Sequence, residues 1–429
     1  MPGRAFAALA ALAAAAPTAA LAAAPTVAPT SAPTAAAPAN ALVADGSRAT
    51  QPSFAQARTV QPLLFPRDQG AHPDYRQEWW YITGNLDAAD GERFGFELTI
   101  FRFALAPGIP QPVLAGAGSD SGADSGAESS SWRARQIYLG HFAVTDVARD
   151  RFRFAVKSSR GALGLAGAQA DPFRVWVGNW QIGADDVRKP NSTNAQARAR
   201  AADSAWYLHA AQPGYVLSLA AQPLLPPILN GDRGLSRKSG EPGNATYYYS
   251  IPRISVRGTI IRDGHPLRVH GLAWLDREWG SGSLGPQEAG WDWYALQLGD
   301  GSSLMFYSLR DASGAQDPYS AGTWVDAQGH ARPLSGSDVR IQVLEHWVDT
   351  GGTRYPSRWR VVMPAFGLDV DVRPVFADQE LVTSPRYWEG AVDVSGTRSG
   401  RPVTGRGYVE LTGYAGATAG RTGGPVGIR

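Results

Sequence analysis

Beyond about Leu63 the chain is written in short apolar, aromatic-rich runs separated by clusters of Gly, Asp, Asn and Pro, and this rhythm limits the fold more than any other feature. Trp79-Trp80-Tyr81-Ile82, Phe94 to Phe101, Trp291-Asp292-Trp293-Tyr294-Ala295-Leu296 and Tyr408-Val409-Glu410-Leu411 are examples. Aromatic and β-branched side chains suit a pleated, half-buried surface, and the residues between the runs are those that turns demand. No stretch keeps the apolar spacing of a long helix. The chain is therefore expected to be all-β and antiparallel.

Two of these runs echo each other. Trp80-Tyr81 leads to Leu86-Asp87 and Asp90-Gly91, then to Phe94 through Arg102. Trp293-Tyr294 leads to Leu298 and Asp300-Gly301, then to Leu304 through Arg310. Each unit is a Trp-Tyr strand, an Asp/Gly turn and an aromatic strand ending in Arg, which predicts two related barrels in tandem. At 429 residues the chain is also too long for one ordinary core. The expected domains are 63–250 and 251–418, divided near Tyr249-Ser250-Ile251-Pro252-Arg253, with a flexible tail at 419–429. A closed eight-stranded barrel removes sheet edges and leaves room for one small ligand.

Export is expected from the N-terminus. Arg4 is a minimal basic region, Ala5 to Ala16 an apolar stretch, and Ala22, Ala23 and Ala24 a cleavage site, so residues 1–24 read as a signal peptide. Residues 25–62 are rich in Ala, Pro and Thr and read as a disordered linker. The mature protein is then expected to be periplasmic or secreted. The absence of Cys fits that and excludes disulfides, thiol nucleophiles and thiolate metal sites. Gly116 to Ser131 and Ala184 to Ser204 are too poor in apolar residues to be more than loops. A formal charge of +2 with no basic stripe argues against a nucleic-acid partner. No later run is long and apolar enough for a membrane-spanning helix.

Several longer phrases carry a resemblance. They are Tyr75-Arg76-Gln77-Glu78-Trp79-Trp80-Tyr81-Ile82-Thr83-Gly84-Asn85-Leu86, Gly140-His141-Phe142-Ala143-Val144-Thr145-Asp146 and Tyr247-Tyr248-Tyr249-Ser250-Ile251-Pro252-Arg253. Gly271 to Gly280, Tyr387-Trp388-Glu389-Gly390-Ala391-Val392 and Gly405 to Tyr414 complete the set. In order and wording, from about Tyr75 to Tyr414, the chain resembles the carotenoid 1,2-hydratase/AttH-like family, often described as predicted secreted hydrolases with a lipocalin-like domain. The resemblance implies two tandem lipocalin-like antiparallel β-barrels, the first of hydratase type. The family includes carotenoid hydratases, secreted proteins encoded beside export-type ABC transporters, and related cyclisation catalysts of fungal biosynthesis. The long Ala/Pro leader departs from the pigment hydratases.

Hydrating an isolated alkene needs an acid to protonate it, aromatic faces to stabilise the cation, and a positioned water. A carboxyl group can be that acid only where burial keeps it protonated. Carboxylates embedded in aromatic runs are therefore the candidates: Asp276 and Glu278 within Trp274 to Gly280, and Asp292 between Trp291 and Trp293. Glu78, ahead of Trp79-Trp80-Tyr81, is a further one. On a strand, Asp292 and Tyr294 share one face and the two Trp the other, while His270, Trp274, Asp276 and Glu278 share a face. Trp80, Tyr81, His141, His270, Trp274, Trp279, Trp291, Trp293 and Tyr294 are the expected lining of an apolar ligand pocket. Neighbouring Arg76 and Arg277 leave ordinary ion pairing open for these acids.

No His-x-His or His-Glu-x-x-His spacing occurs, so neither a metal nor a cofactor is expected. The hydrolase description finds no nucleophile elbow. In Gly280-Ser281-Gly282-Ser283-Leu284-Gly285, Ser281 stands where the first Gly of Gly-x-Ser-x-Gly belongs. Pro226 to Gly240 is Gly-rich and basic, suited to a lid over a barrel mouth or to an interdomain crossing. Two functions stay open: an enzyme adding water to an unsaturated lipid or isoprenoid, or a non-catalytic carrier of an apolar ligand serving an ABC-type exporter. An enzyme should hold a carboxylate in its site without an Arg or Lys partner. A carrier should pair or expose them all.

Overall fold

The computed structural model describes residues 53–108, 135–183, 206–282, 284, 288–383 and 386–415. The expected signal peptide, the two expected loops, the tail, and Ser283 with Gly285 lie outside them. The described regular structure is β-strand, with short 3-10 turns.

The first sheet takes strands β1 (Gln77–Ala88), β2 (Arg93–Ala104), β3 (Gln136–Asp146), β4 (Arg151–Arg160), β5 (Ala166–Ala170), β6 (Phe173–Val177) and β7 (Trp180–Gly183). It continues with β8 (Trp206–Gln212), β9 (Tyr215–Pro223), β10 (Ile228–Leu229), β11 (Leu235–Arg237), β12 (Ala245–Arg262) and β13 (His265–Gly280). Its order is β4-β3-β2-β1-β13-β12-β9-β8-β7-β6-β5, with β10 and β11 on β12. The second sheet takes β14 (Glu288–Leu298), β15 (Ser303–Asp311), β16 (Ala321–Val325), β17 (Ala331–Ser335) and β18 (Arg340–Val348). It continues with β19 (Arg354–Met363), β20 (Leu368–Pro374), β21 (Glu380–Leu381), β22 (Tyr387–Arg398) and β23 (Arg401–Thr412). Its order is β17-β16-β15-β14-β23-β22-β20-β19-β18, with β21 on β22. In each sheet the first strand pairs with both the second and the last, and each sheet curls into a barrel-like half. No helix among the described residues is long and apolar enough to cross a membrane.

The echoed hairpins are β1–β2 and β14–β15, in corresponding places of the two sheets. The expected division at 250/251 falls within β12, and the chain leaves the first sheet only after Gly280. Pro252, which reads as a break, sits instead at a register shift between Ile251 and Ile254, the kind of bulge that admits a proline into a paired strand. Residues 53–62, expected to be linker, lie against the first sheet. Ala57 is buried, Val60 packs on the core, and the Tyr247 hydroxyl donates to the Thr59 carbonyl at 2.8 Å.

Neither barrel is hollow where the described side chains meet. Trp80, Ile82, Phe94, Phe96, Leu98, Phe142, Trp180 and Ile251 help fill the first. Tyr294, Leu296, Trp359, Val370 and Trp388 help fill the second. Strand alternation then sends every other residue of β1, β2, β3, β12 and β13 outward, where it meets the outward residues of β14, β15, β22 and β23. A third apolar cluster forms there, including Tyr81, Tyr248, Trp274, Trp293, Tyr307 and Tyr408. Polar clamps hold the two halves together. Arg253 donates to the Leu298 and Ser302 carbonyls at 2.6 and 2.8 Å, Gln297 to those of Pro252 and Ala273, and Asn85 to that of Gly407. The ion pairs Arg93–Asp393 and Arg406–Asp87 add to these.

Candidate active site

Strand register lines up two facing rows of side chains between the barrels. Across the first sheet, His141, Thr99, Tyr81, Asp276 and Ser250 are successive partners on β3, β2, β1, β13 and β12. Across the second, Tyr307, Trp293, Glu410 and Glu389 are successive partners on β15, β14, β23 and β22. Glu97 lies two residues before Thr99, and Tyr387 two before Glu389, so each shares its neighbour's face. Hydrogen bonds join the rows. The Tyr81 hydroxyl donates to Glu389 Oε1 at 2.6 Å, and Trp293 Nε1 donates to the Tyr248 hydroxyl at 3.1 Å.

The acids here are buried without counter-charge. Glu97 accepts from Thr99 at 2.8 Å and from Tyr387 at 3.2 Å. Tyr387 also lies 2.6 Å from His141 Nδ1. With the Tyr387 proton given to Glu97, His141 must donate through Nδ1, which leaves its Nε2 as a bare lone pair. Nε2 has no partner among the described residues, nor do Oε2 of Glu97 and Oε2 of Glu389. Glu410, half-buried, accepts from Trp291 Nε1 at 2.9 Å. No Arg or Lys among the described residues pairs with Glu97, Glu389 or Glu410.

Burial disfavours the ionised form of a carboxyl group. It pushes Glu97 up to about 7, against the bonds from Thr99 and Tyr387. Burial, then the charges of Glu97 and Glu410, raise Glu389 well above the usual carboxylate range. Burial and the charge of Glu97 push Glu410 up to about 8. Asp276 is raised by burial only to about 6, because Ser250, Tyr248 and Trp274 all donate to it. The Ser250 and Trp274 bonds measure 2.5 and 2.7 Å. Burial lowers His141 to about 4, so its ring is neutral at pH 7. At neutral pH the site thus sets proton-bearing glutamic acids beside a more readily ionised aspartate, the separation that lets one site both give and take a proton.

The family model for AttH-like proteins matches residues 56–414. The chain belongs to the AttH-like family. Its fold is similar to a crystal structure of a protein from Nitrosomonas europaea assigned as AttH, at 32% identity and a TM-score of 0.68, covering 84% of this chain and all of that one. A crystal structure of kievitone hydratase from Nectria haematococca shares the fold at 14% identity and a TM-score of 0.57, covering 85% of this chain and 98% of that one. The dehydratase asqC of Emericella nidulans is 21% identical over 295 residues, 63% of this chain and 75% of that protein.

In this AttH-like chain the residues expected from sequence divide into three groups. Asp276, Glu278, Trp274, Trp291, Trp293, Tyr81 and His141 do come together between the barrels. Glu278 is tied to Thr246 and to Lys238 Nζ, the latter at 2.9 Å. Trp80, Trp279 and Tyr294 point the other way, into the barrel interiors. Trp80 lies under Arg277 at 3.9 Å, Trp279 stacks on His72 at 3.9 Å, and Tyr294 packs edge-on against Trp359. His270 shares the face of Trp274 but lies beyond the interface and is exposed.

Asp292 is the main correction. It faces the interior of the second barrel, where Arg310 Nε donates to it at 2.7 Å and Tyr414 at 3.0 Å. Trp291 and Trp293, which make it look embedded in aromatics, lie on the opposite face. Glu78 of the first barrel is likewise held inside its core, by Arg102 and Arg277. The Arg that ends each echoed hairpin closes a buried ion pair, Glu78–Arg102 and Asp292–Arg310, although the two acids fall one residue out of step with the Trp-Tyr match, since Trp80 points into its barrel and Trp293 out of its own. The glutamates sequence reasoning missed all sit in strand runs legible as such: Glu97 in Phe94 to Phe101, Glu389 in Tyr387 to Val392, and Glu410 in Tyr408 to Leu411. A lone acid in an otherwise apolar strand was the available signal.

Proposed function

We propose that this AttH-like protein adds water across a carbon–carbon double bond, or eliminates water from an alcohol to form one, in a largely apolar small molecule held between its two barrels. The observation that carries this is the full burial of Glu97 and Glu389, with half-buried Glu410 beside them, and no Arg or Lys partner for any of the three among the described residues. An ionised carboxylate there would be costly, so these groups are kept as acids. A proton passes from such an acid to the alkene, or to a departing hydroxyl. The faces of Trp274, Trp291 and Trp293 stabilise positive charge that develops on carbon. Asp276, ionised more readily, takes up the proton released on the other side of the reaction. The hydratase and the dehydratase among the similar proteins support this class of reaction. A carrier would gain nothing from uncompensated acids. Residues 1–24, read as a signal peptide, support placing the activity in the periplasm or outside the cell, on unsaturated lipids or isoprenoids.

The test is incubation of the protein with an extract of unsaturated lipids and isoprenoids, read by mass spectrometry against the E97Q/E389Q/E410Q variant. A compound that gains or loses the mass of one water with the wild type alone supports the reading. A compound that co-purifies unchanged with both proteins makes the chain a carrier instead.

A further inference from the structure

The basic segment Pro226 to Gly240 stays on the first sheet and lies against the second, so it is not the crossing between the halves, which comes only after Gly280. Its strands β10 and β11 both pair with β12. Asn230 is buried, donating to Ser250 at 2.9 Å and accepting from Thr323 of the second sheet at 2.8 Å. Beyond it, Ser236 meets the Tyr307 hydroxyl at 2.9 Å. Lys238, just past β11, then reaches the end of the first-sheet row.

Its ammonium stands 4.1 Å from the Tyr307 ring centroid and 5.2 Å from that of Tyr248. Tyr248 is in turn bonded to Asp276 and Trp293. An ammonium carries three N–H donors. Among the described residues the acceptor within reach is Glu278, and ring faces occupy two other sides. The side chain remains 18% exposed. Burial works against its charge, but Glu278, with Tyr307 and Asp276 nearby, keeps it charged.

We infer that Lys238 binds a carbonyl oxygen of the substrate, which makes the substrate class α,β-unsaturated or β-hydroxy carbonyl compounds. This rests on the reading of water addition or removal between the barrels and changes its route: for these substrates an enolate held at Lys238 replaces the cation, and Asp276 exchanges the proton on carbon. A neutral carbonyl oxygen suits the position better than a carboxylate, because Glu278 already balances the charge. In the dehydration direction, Asp276 takes the proton α to the carbonyl. The C–H electron pair becomes an enolate whose oxygen is held by the Lys238 N–H. The β carbon–oxygen bond then breaks as the enolate re-forms the carbonyl and a carbon–carbon double bond. The departing hydroxyl leaves as water with a proton from one of the glutamic acids. Hydration is the same sequence reversed, with protons and electrons balanced and no further reactant.

Tryptophan fluorescence titration tests this with two probes: a straight-chain α,β-unsaturated ketone, and the alkene of equal length lacking the carbonyl. The wild type should bind the ketone about tenfold or more tightly, the scale of one hydrogen bond to a charged donor. K238M should bind both at the level of the alkene. The double variant K238M/E278Q, which leaves no orphaned carboxylate, should behave alike and guards against misfolding of the single one. Unchanged ketone preference in the two variants overturns the role of Lys238 and leaves the hydration reading standing. Failure of the wild type to bind either probe overturns both.

Discussion

Glu389 and Glu410 stand directly opposite each other on β22 and β23, with their side chains on the same face. Like charges so placed repel, and burial forbids both from ionising cheaply. The pair survives because it holds protons. A carboxyl group whose folded pKa exceeds its unfolded value binds a proton that the unfolded chain has released, so its contribution to stability falls as pH rises through that window. For Glu410 the window runs from 4.5 to about 8, and for Glu97 from 4.5 to about 7. His141, lowered from 6.5 to about 4, has the opposite slope, but only below 6.5. Between pH 6.5 and 8.5 the glutamates act alone there. The melting temperature should therefore fall across that range, and E389Q/E410Q should flatten the fall and be the more stable protein at pH 8.5. Scanning calorimetry at several pH values decides it, and a wild-type melting temperature that rises to pH 8.5 contradicts the buried-acid picture.

Glu78 should behave in the opposite way. Burial works against its charge, but Arg277 and Arg102 outweigh it and hold the carboxyl well below its usual range. Its contribution is present above 4.5 and is lost as pH falls below that. Breaking such a pair strands a buried charge, at about 3–5 kcal/mol. E78Q should lose on that order in urea unfolding. D292N should lose stability too, since it strands Arg310, yet keep its water-addition activity. E410Q should show the reverse, folding well but inactive. Loss of activity in D292N with unchanged stability would return Asp292 to the site.

Much of this was legible in the sequence, for identifiable reasons. The strands, the paired hairpins and the shared face of Asp276 and Trp274 follow from alternation and turn chemistry. What alternation does not say is which face of a strand looks into its own barrel. Strands β1, β2 and β14 and the second half of β13 are buried on both faces, so their text has no consistently polar side to orient it. Trp80 and Tyr81 both look like lining, yet one enters the barrel and the other the interface. Asp292 seems embedded in tryptophans that lie behind it. Glu97, Glu389 and Glu410 come from distant strands, and only the packing of one barrel on the other makes them neighbours.

Tyr387 should act through Glu97 rather than on substrate. Its hydroxyl favours the ionised form of Glu97, so Y387F should raise that group's pKa. If protonated Glu97 is the working acid, the alkaline limb of kcat/KM moves to higher pH in Y387F, with kcat reduced about tenfold by the lost orientation. T99A should move the limb the same way, because Thr99 also donates to Glu97. A pH profile unmoved in both variants would assign the acid role to Glu389 or Glu410.

Gly95 fixes how closely the two barrels approach. It lies on the outward face of β2, two residues before Glu97. A Cβ there would stand 2.6 Å from the Tyr408 hydroxyl and 2.7 Å from the Ala391 Cβ. Ala391 is short and held within a paired strand, so the clash cannot be relieved by turning a side chain. The sheets must separate instead, at about 1–3 kcal/mol for an overpacked contact. Separation would lengthen the bonds that cross the gap nearby, Tyr81 to Glu389 and Tyr387 to Glu97. Water would enter, and the glutamates would ionise at lower pH. G95A should therefore lose activity and stability together, with a smaller fall in melting temperature between pH 6.5 and 8.5 than the wild type. If G95A is destabilised but keeps the full wild-type pH dependence, the acids owe their protons to something other than the close contact of the barrels.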